Sequence, residues 1–238
     1  MKVTDLYVQY YIPPGLQQHQ LTVAALGKYI VDHWQGPAID GQSVITALLV
    51  HDLGNLVKFD LTEGATVLDS TLMTNEWRER QQHMRDKYGR NSHQATLQIL
   101  RELGLPEIVQ QLAAEMDASD VCRIAQDSLE QQMCEYADLR VVPSGITSLA
   151  ERLADLRQRY SHHPGWDNET DFQQNVECAK LIEERLQQQT NVDITHIPPE
   201  KIEAYLVELP LFEIQTGTVY EDRHDPSPHS PSNSHASD

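Results

Sequence analysis

The most apolar stretch of the chain ends on two groups able to do chemistry. Val44-Ile45-Thr46-Ala47-Leu48-Leu49-Val50 carries one hydroxyl and runs straight into His51-Asp52 before Gly54 stops the element. An imidazole and a carboxylate withdrawn from water together are costly unless they pair with each other or hold a metal ion. A second His-Asp pair, His224-Asp225, sits among Pro, Ser and His that cannot pack, and carries no such expectation. His19 falls in the buried rhythm Leu16, Val23, Leu26, Ile30, as a hydrogen-bonded core residue or as a ligand for a partner brought from elsewhere. Asp138 closes a further apolar face (Val121, Ile124, Met133, Tyr136, Ala137), at the helix end where the dipole disfavours a carboxylate, so a cation is required. Arg140 is one candidate for that cation and a metal is the other. His19, His51, Asp52 and Asp138 together make a mixed nitrogen and oxygen set from three helices. Such a set suits manganese, iron, cobalt, magnesium or zinc.

The elements that must position these residues are helical throughout. A Tyr7, Tyr10, Tyr11, Ile12 lead-in, stopped by Pro13-Pro14-Gly15, is expected to pack over a helix from about Leu16 to Trp34. Asp40 or Ser43 caps the next helix, which delivers the His-Asp doublet, and an irregular segment follows to about Leu72. Further helices are expected over Asn75–Tyr88, over a stretch capped by Asn91 or Ser92, around Ile108 and Leu112, from Ser119 or Asp120 to Asp138, over Ile146–Tyr160 and Asn168–Gln189, and in a short piece from Pro198 to Leu209. Gly89 and Gly104-Leu105-Pro106 provide the stops. The tandem His162-His163 before Pro164-Gly165 is a weak metal signal on an exposed loop. No strand period and no internal repeat appears, so the class is all-α. Residues 1–190 form the helical domain, 191–216 a helix and apolar segment packing on it, and 217–238 a disordered acidic tail rich in Pro, Ser and His.

Composition sets the outer limits. At 238 residues the chain suffices for one domain with a sizeable core. Formal charge is −18, a field that repels nucleic acid and anionic lipid, and no basic run in the sequence overrides it. Neither nucleic-acid nor membrane binding is expected. Cys122, Cys134 and Cys178 fall in no C-x-x-C spacing and read as buried apolar thiols of a reduced, cytoplasmic protein. The first residues contain no apolar core of a signal peptide.

With these residues in place, the sequence resembles the HD-domain superfamily of metal-dependent phosphohydrolases: a His on one helix, a His-Asp doublet ending the next and a distant Asp. The resemblance spans about Leu16 to Tyr160 and is strongest in Ala47-Leu48-Leu49-Val50-His51-Asp52-Leu53-Gly54 and Tyr136-Ala137-Asp138-Leu139. It implies a helical bundle in which His19, His51, Asp52 and Asp138 hold the metal. It also departs from the family. Asn55 stands where many relatives carry Lys and where the 5′-deoxynucleotidase branch carries a catalytic Glu, and that branch is matched only at Asp60. Of the two additional His of the binuclear branch, His93 is similar to the first, and Glu115 lies where the second would fall.

The expected activity is hydrolysis of a phosphate ester or anhydride of a small, nucleotide-like molecule by water activated on the metal. Asp60, His93 and Glu115 are candidates to orient that water, and Lys58 and Arg140 to neutralise phosphoryl charge. Two alternatives use the same ligands: a metal-binding or ligand-sensing module with little turnover, and an iron-dependent oxygenase. The sequence names no protein partner and no oligomeric state.

Overall fold

The computed structural model describes residues 1–62, 70–162 and 166–217. Among these residues, eleven α-helices account for nearly all regular structure, as the helical periodicity requires. The tail from 218 onward, including His224-Asp225, and residues 163–165 lie outside the described residues, as does 63–69 of the irregular segment.

The helices start and stop where local chemistry dictates. Helix α1 spans Val3–Gln9 and α2 spans Pro14–Asp32, the latter opened by Pro14, whose missing N–H and fixed φ suit a first turn. Helix α3 spans Gly41–Val50, and the Asp40 carboxylate caps it by accepting from the Ser43 N–H. A 3-10 turn, Asn55–Lys58, follows the doublet. Then come α4 (Asn75–Tyr88), capped by Thr74 and ended by Gly89, and α5 (Ser92–Glu102), capped by Asn91. Helices α6 (Glu107–Ala114), α7 (Val121–Ile124) and α8 (Leu129–Asp138) lead to a minimal antiparallel hairpin, Val141–Val142 with Gly145–Ile146. Helix α9 (Leu149–Arg159) opens with a full capping box of Ser148 and Glu151, and α10 (Glu169–Gln187) with Asn168. Helix α11 (Glu203–Glu208) completes the set.

Helices α2, α3 and α8 pack on one another at the centre, and α6 and α10 cover them. Their facing side chains, among them Val23, Leu26, Ile30, Leu48, Leu49, Met133 and Ala137, are fully buried. The segment 191–216 lies against the start of the chain: Val3 N–H donates to the Phe212 carbonyl at 3.1 Å and Ile214 N–H to the Met1 carbonyl at 2.8 Å. Among the described residues no helix is long and apolar enough to cross a membrane.

Four local expectations change. The aromatic lead-in is itself helical, and the Tyr7 hydroxyl donates to the Leu49 carbonyl at 2.9 Å, satisfying an acceptor that the last turn of α3 leaves free. The stretch from Ser119 to Asp138 is two helices, because Ser128 caps a fresh start by accepting from Gln131 N–H. Helix α6 buries Val109 and exposes Ile108, one residue out of the expected phase. Finally, Cys122 and Cys178 are not free thiols. They form a disulfide joining α7 to α10 across a Cα separation of 5.0 Å, well within the span such a bond requires, and Cys134 alone is free and buried. Sequence spacing could not reveal that pair, because packing of two helices far apart in the chain creates it.

Candidate metal centre

Three helices deliver one donor atom each to a common point. His19 projects from the first half of α2, three residues after buried Leu16. His51 is the C-cap of α3, and Asp138 is the last residue of α8. One ligand atom from each of these three lies within 4.8 Å of the others. His19 Nε2 is 3.1 Å, and His51 Nε2 3.7 Å, from Asp138 Oδ1, and the two rings meet edge to face at 5.6 Å. A divalent ion with bonds of about 2.0–2.2 Å holds neighbouring donors roughly 3 Å apart, close to the two spacings from Asp138 Oδ1 to the imidazoles.

The donors are also oriented for such a task. His51 Nδ1 faces the Leu48 carbonyl at 2.9 Å, which requires a proton on Nδ1 and leaves Nε2 as the atom 3.7 Å from Asp138 Oδ1. The turn beyond the doublet is pinned by Gly54, whose N–H donates to Thr96 Oγ1 at 2.9 Å. A Cβ at that position would stand 2.4 Å from the Ser92 carbonyl oxygen and 2.5 Å from the Thr96 nitrogen, so only glycine lets α5 close against the doublet.

Among the described residues, most of the buried side-chain polar atoms without a hydrogen bond lie in this neighbourhood, Gln132 Oε1 near the start of α8 being another. His51 Nε2 makes no hydrogen bond, and Asp138 Oδ1 has only its 3.1 Å ion-pair contact with His19 Nε2. Gln20 Nε2, Glu135 Oε1 and Arg152 Nε make no hydrogen bond either. Gln20 follows His19 and accepts from the Asp52 N–H at 3.3 Å. Glu135 precedes Asp138 by one helical turn and accepts from the Asp117 N–H at 3.0 Å. Each orphaned group costs about 1–3 kcal/mol, a cost that a bound ion and its water ligands can offset.

The charges are coupled. Burial acts to lower the His19 pKa, but contact with Asp138, its charge and that of Asp52 together outweigh burial and hold His19 above the ordinary imidazole value. Burial acts to raise Asp138, yet His19, His51 and Arg152 hold it well below the usual carboxylate range. Glu135 is pushed well above that range, first by burial and then by the charges of Asp138 and Asp117. A cavity of about 120 Å³ opens beside His19, walled by Gln18, Thr22 and the hairpin turn Val142–Gly145.

Of the residues singled out in the sequence, His19, His51 and Asp138 converge. Asp52 stands adjacent, its Oδ2 3.7 Å from His51 Nε2, but outside the mutual reach of the other three. The remaining candidates are not brought to the cluster. Arg140 is a correction: its buried guanidinium donates to the carbonyls of Thr147, Ile194 and Thr195 and to the Tyr136 hydroxyl, tying the hairpin and the 191–216 segment to α8. Glu115 is a second, since it pairs with Arg123 at 2.9 Å. His93 is exposed on the first turn of α5, and Lys58 and Asp60 line a different cleft.

Sequence reasoning missed Gln20, Glu135 and Arg152. The signal for Arg152 was legible: it takes the i+3 place in the face Leu149, Arg152, Leu153, Leu156, where an aliphatic residue is expected. Glu135 lies amid wholly buried Cys134, Tyr136 and Ala137. Comparison with family models, with curated proteins and with solved structures finds no match, so the chemistry of the centre is read from its own donor atoms.

Proposed function

We propose that the chain is a divalent-metal-dependent phosphohydrolase acting on a nucleotide or a similar small phosphorylated molecule. The observation that carries this reading is the convergence of His19 Nε2, His51 Nε2 and Asp138 Oδ1, with the buried His51 Nε2 lacking any hydrogen-bond partner among the described residues. These three would hold the ion, with Asp52 as the adjacent fourth donor. When bound, it supplies a Lewis acid for a phosphoryl oxygen and lowers the pKa of water.

The chain's own groups account for the rest. His51 is presented as the required tautomer by Leu48. Asp52, partly exposed and 3.7 Å from His51 Nε2, would alternatively accept the proton of an attacking water. Arg152 brings positive charge to Asp138 and His19 while its Nη1 donates to Asp155 at 3.0 Å, so it would steady the donors and not meet a phosphoryl group itself. The cavity beside His19 equals about four water volumes, room for a phosphoryl group but not a nucleoside, so the remainder of the substrate would extend outward.

One observation favours a second reading, a metal-binding or sensing module without turnover. Glu115 and Arg140, two groups expected to assist chemistry, are consumed by structural contacts. Metal analysis of protein purified without chelator or polyhistidine tag, followed by phosphate release from a nucleotide panel, separates the two. We expect about one divalent ion per chain, and metal-dependent release lost in His51→Ala and Asp138→Asn. Retained metal with no release across the panel selects the second reading, and equal rates in all three proteins end the first.

A further inference from the structure

Across the Gly54 turn from the doublet the molecule builds a feature of opposite sign. Arg78, Gln81, Gln82 and Arg85 fall at i, i+3, i+4 and i+7 of α4 and so share one face. That face clasps the segment after the 3-10 turn. Gln81 Nε2 donates to the carbonyls of Leu56 and Phe59, Arg85 to those of Val57 and Phe59, and Arg78 to that of Leu61. Gly89 then takes a left-handed φ of 79°, which reverses the chain and brings Arg90 to the same place. The result is a cleft of about 430 Å³ walled by Lys58, Phe59, Asp60, Thr62, Arg78, Arg85 and Arg90, sharing no residue with the metal centre.

Four cations converging in a chain of net charge −18 call for an explanation. Elsewhere Arg80, Lys87, Arg123, Arg157 and Arg159 each lie against a carboxylate. Among the described residues no carboxylate lies within ion-pair distance of Lys58, Arg78, Arg85 or Arg90. Asp60, the one acid in the wall, spends Oδ1 on the N–H and hydroxyl of Thr62. The two α4 arginines of the cleft are already held in place by backbone carbonyls, Arg78 through Nε and Arg85 through Nε and Nη2. That leaves Arg78 Nη2 and Arg85 Nη1 for another acceptor, with little side-chain entropy left to lose. Burial, and then the like charge of Arg90, hold Arg85 below its ordinary pKa against the opposing charge of Asp60, in keeping with cations set close together.

We propose that this cleft is a binding site, separate from the His-Asp centre, for a ligand carrying two linked phosphoryl groups. The charge of such a ligand matches four cations less one carboxylate, and the cleft has the volume of a small-molecule site. Phe59 in its wall offers a surface for a base or other ring.

The test is calorimetric titration of the full chain, in chelator, with ADP, pyrophosphate, inorganic phosphate and adenosine. ADP and pyrophosphate should bind saturably and more weakly as salt rises, phosphate less tightly, and adenosine not at all. ADP tighter than pyrophosphate identifies a nucleotide as the ligand, and equal affinity identifies inorganic pyrophosphate chemistry; both uphold the site. Lys58→Glu and Arg90→Glu, both at exposed positions, should each weaken ADP binding at least about tenfold. Lys180→Glu, an equal change of charge on the exposed face of α10, should leave it unchanged. His51→Ala should bind ADP as the wild type does, so failure of the metal-centre reading leaves this result intact. Absence of saturable binding, adenosine binding as well as ADP, or equal losses in Lys180→Glu and Arg90→Glu would overturn the proposal.

Discussion

The His-Asp centre and the basic cleft are built from opposite materials on either side of one glycine turn. The centre gathers a buried imidazole with a half-buried imidazole and acid, with further unpartnered atoms on Gln20, Glu135 and Arg152 around it. The cleft gathers four cations at its wall, two of them fixed by backbone carbonyls. In the first, acceptors on His51 and Glu135 stand beside donors on Gln20 and Arg152, a mixed lining suited to an ion with its water ligands; in the second the groups left over are N–H donors alone. Polar groups withheld from internal pairing therefore mark both regions, and the sign of the charge distinguishes what each can take.

The sharpest way to break this division is Asp138→Asn. Loss of a supporting contact to a metal ligand typically costs 10–100-fold in affinity, so removing the charge of a direct donor should cost at least about 100-fold. Competition with a chromophoric chelator measures it. ADP binding to the cleft should not change, and unchanged metal affinity would remove Asp138 from the centre.

Gly54→Ala comes next and should strike both regions at once. The new Cβ meets backbone on α5, at the Ser92 oxygen and the Thr96 nitrogen, which cannot swing aside as a side chain would. We expect about 1–3 kcal/mol of destabilisation in chemical denaturation, with metal and ADP affinity falling together. A fall in one alone would show that the turn does not couple the two regions.

The two regions differ as much in how far sequence exposes them. The His-Asp doublet stood out because polarity followed an apolar run, and Asp138 because it ended an apolar face; such anomalies are local and can be read in one dimension. The helical class and most caps, such as Asp40, Thr74's neighbour Asn75 as a first residue, and Asn91, are local too. The cleft is not. Its cations come from a 3-10 turn, one helix face and the residue after a left-handed glycine, so no basic run announces it. Arg140 misled for the converse reason: adjacency to Asp138 in sequence places its side chain on another face of the chain, among carbonyls. The Cys122–Cys178 bond likewise depends on how α7 and α10 pack.

Acidity should separate the regions by about tenfold per pH unit. His19 sits above the ordinary imidazole value, so its contact with Asp138 stabilises the metal-free chain fully below about pH 6.5 and is lost as pH rises through the raised value. Asp138 sits below the ordinary carboxylate value, so its share is present above about pH 3.9 and is lost as pH falls through the depressed value. Metal must displace the His19 proton. Its affinity should therefore drop about tenfold for each unit below the raised His19 pKa, while His19→Gln flattens that slope. A guanidinium is protonated far above this range, so ADP binding should follow only the ligand's own titration. A cleft whose affinity tracked the metal's pH profile would mean the two are one site.

The smallest expected effect concerns Glu135 and decides how far the centre extends. Its carboxyl is held well above the ordinary value by burial, then by Asp138 and Asp117, so ionising it in the folded chain costs stability. That cost is absent below the ordinary Glu value of about 4.3, where both states are protonated, and grows as pH rises toward the folded value. Glu135→Gln keeps an oxygen to accept from the Asp117 N–H and removes the titration. Metal-free protein should then melt higher than wild type at neutral pH by a margin that vanishes near pH 4. If metal affinity holds while stability rises, the donor set ends at Asp138. If affinity falls with the substitution, the unpartnered Glu135 Oε1 belongs to the ion's surroundings, and the centre reaches one helical turn deeper into α8 than its three converging donors indicate.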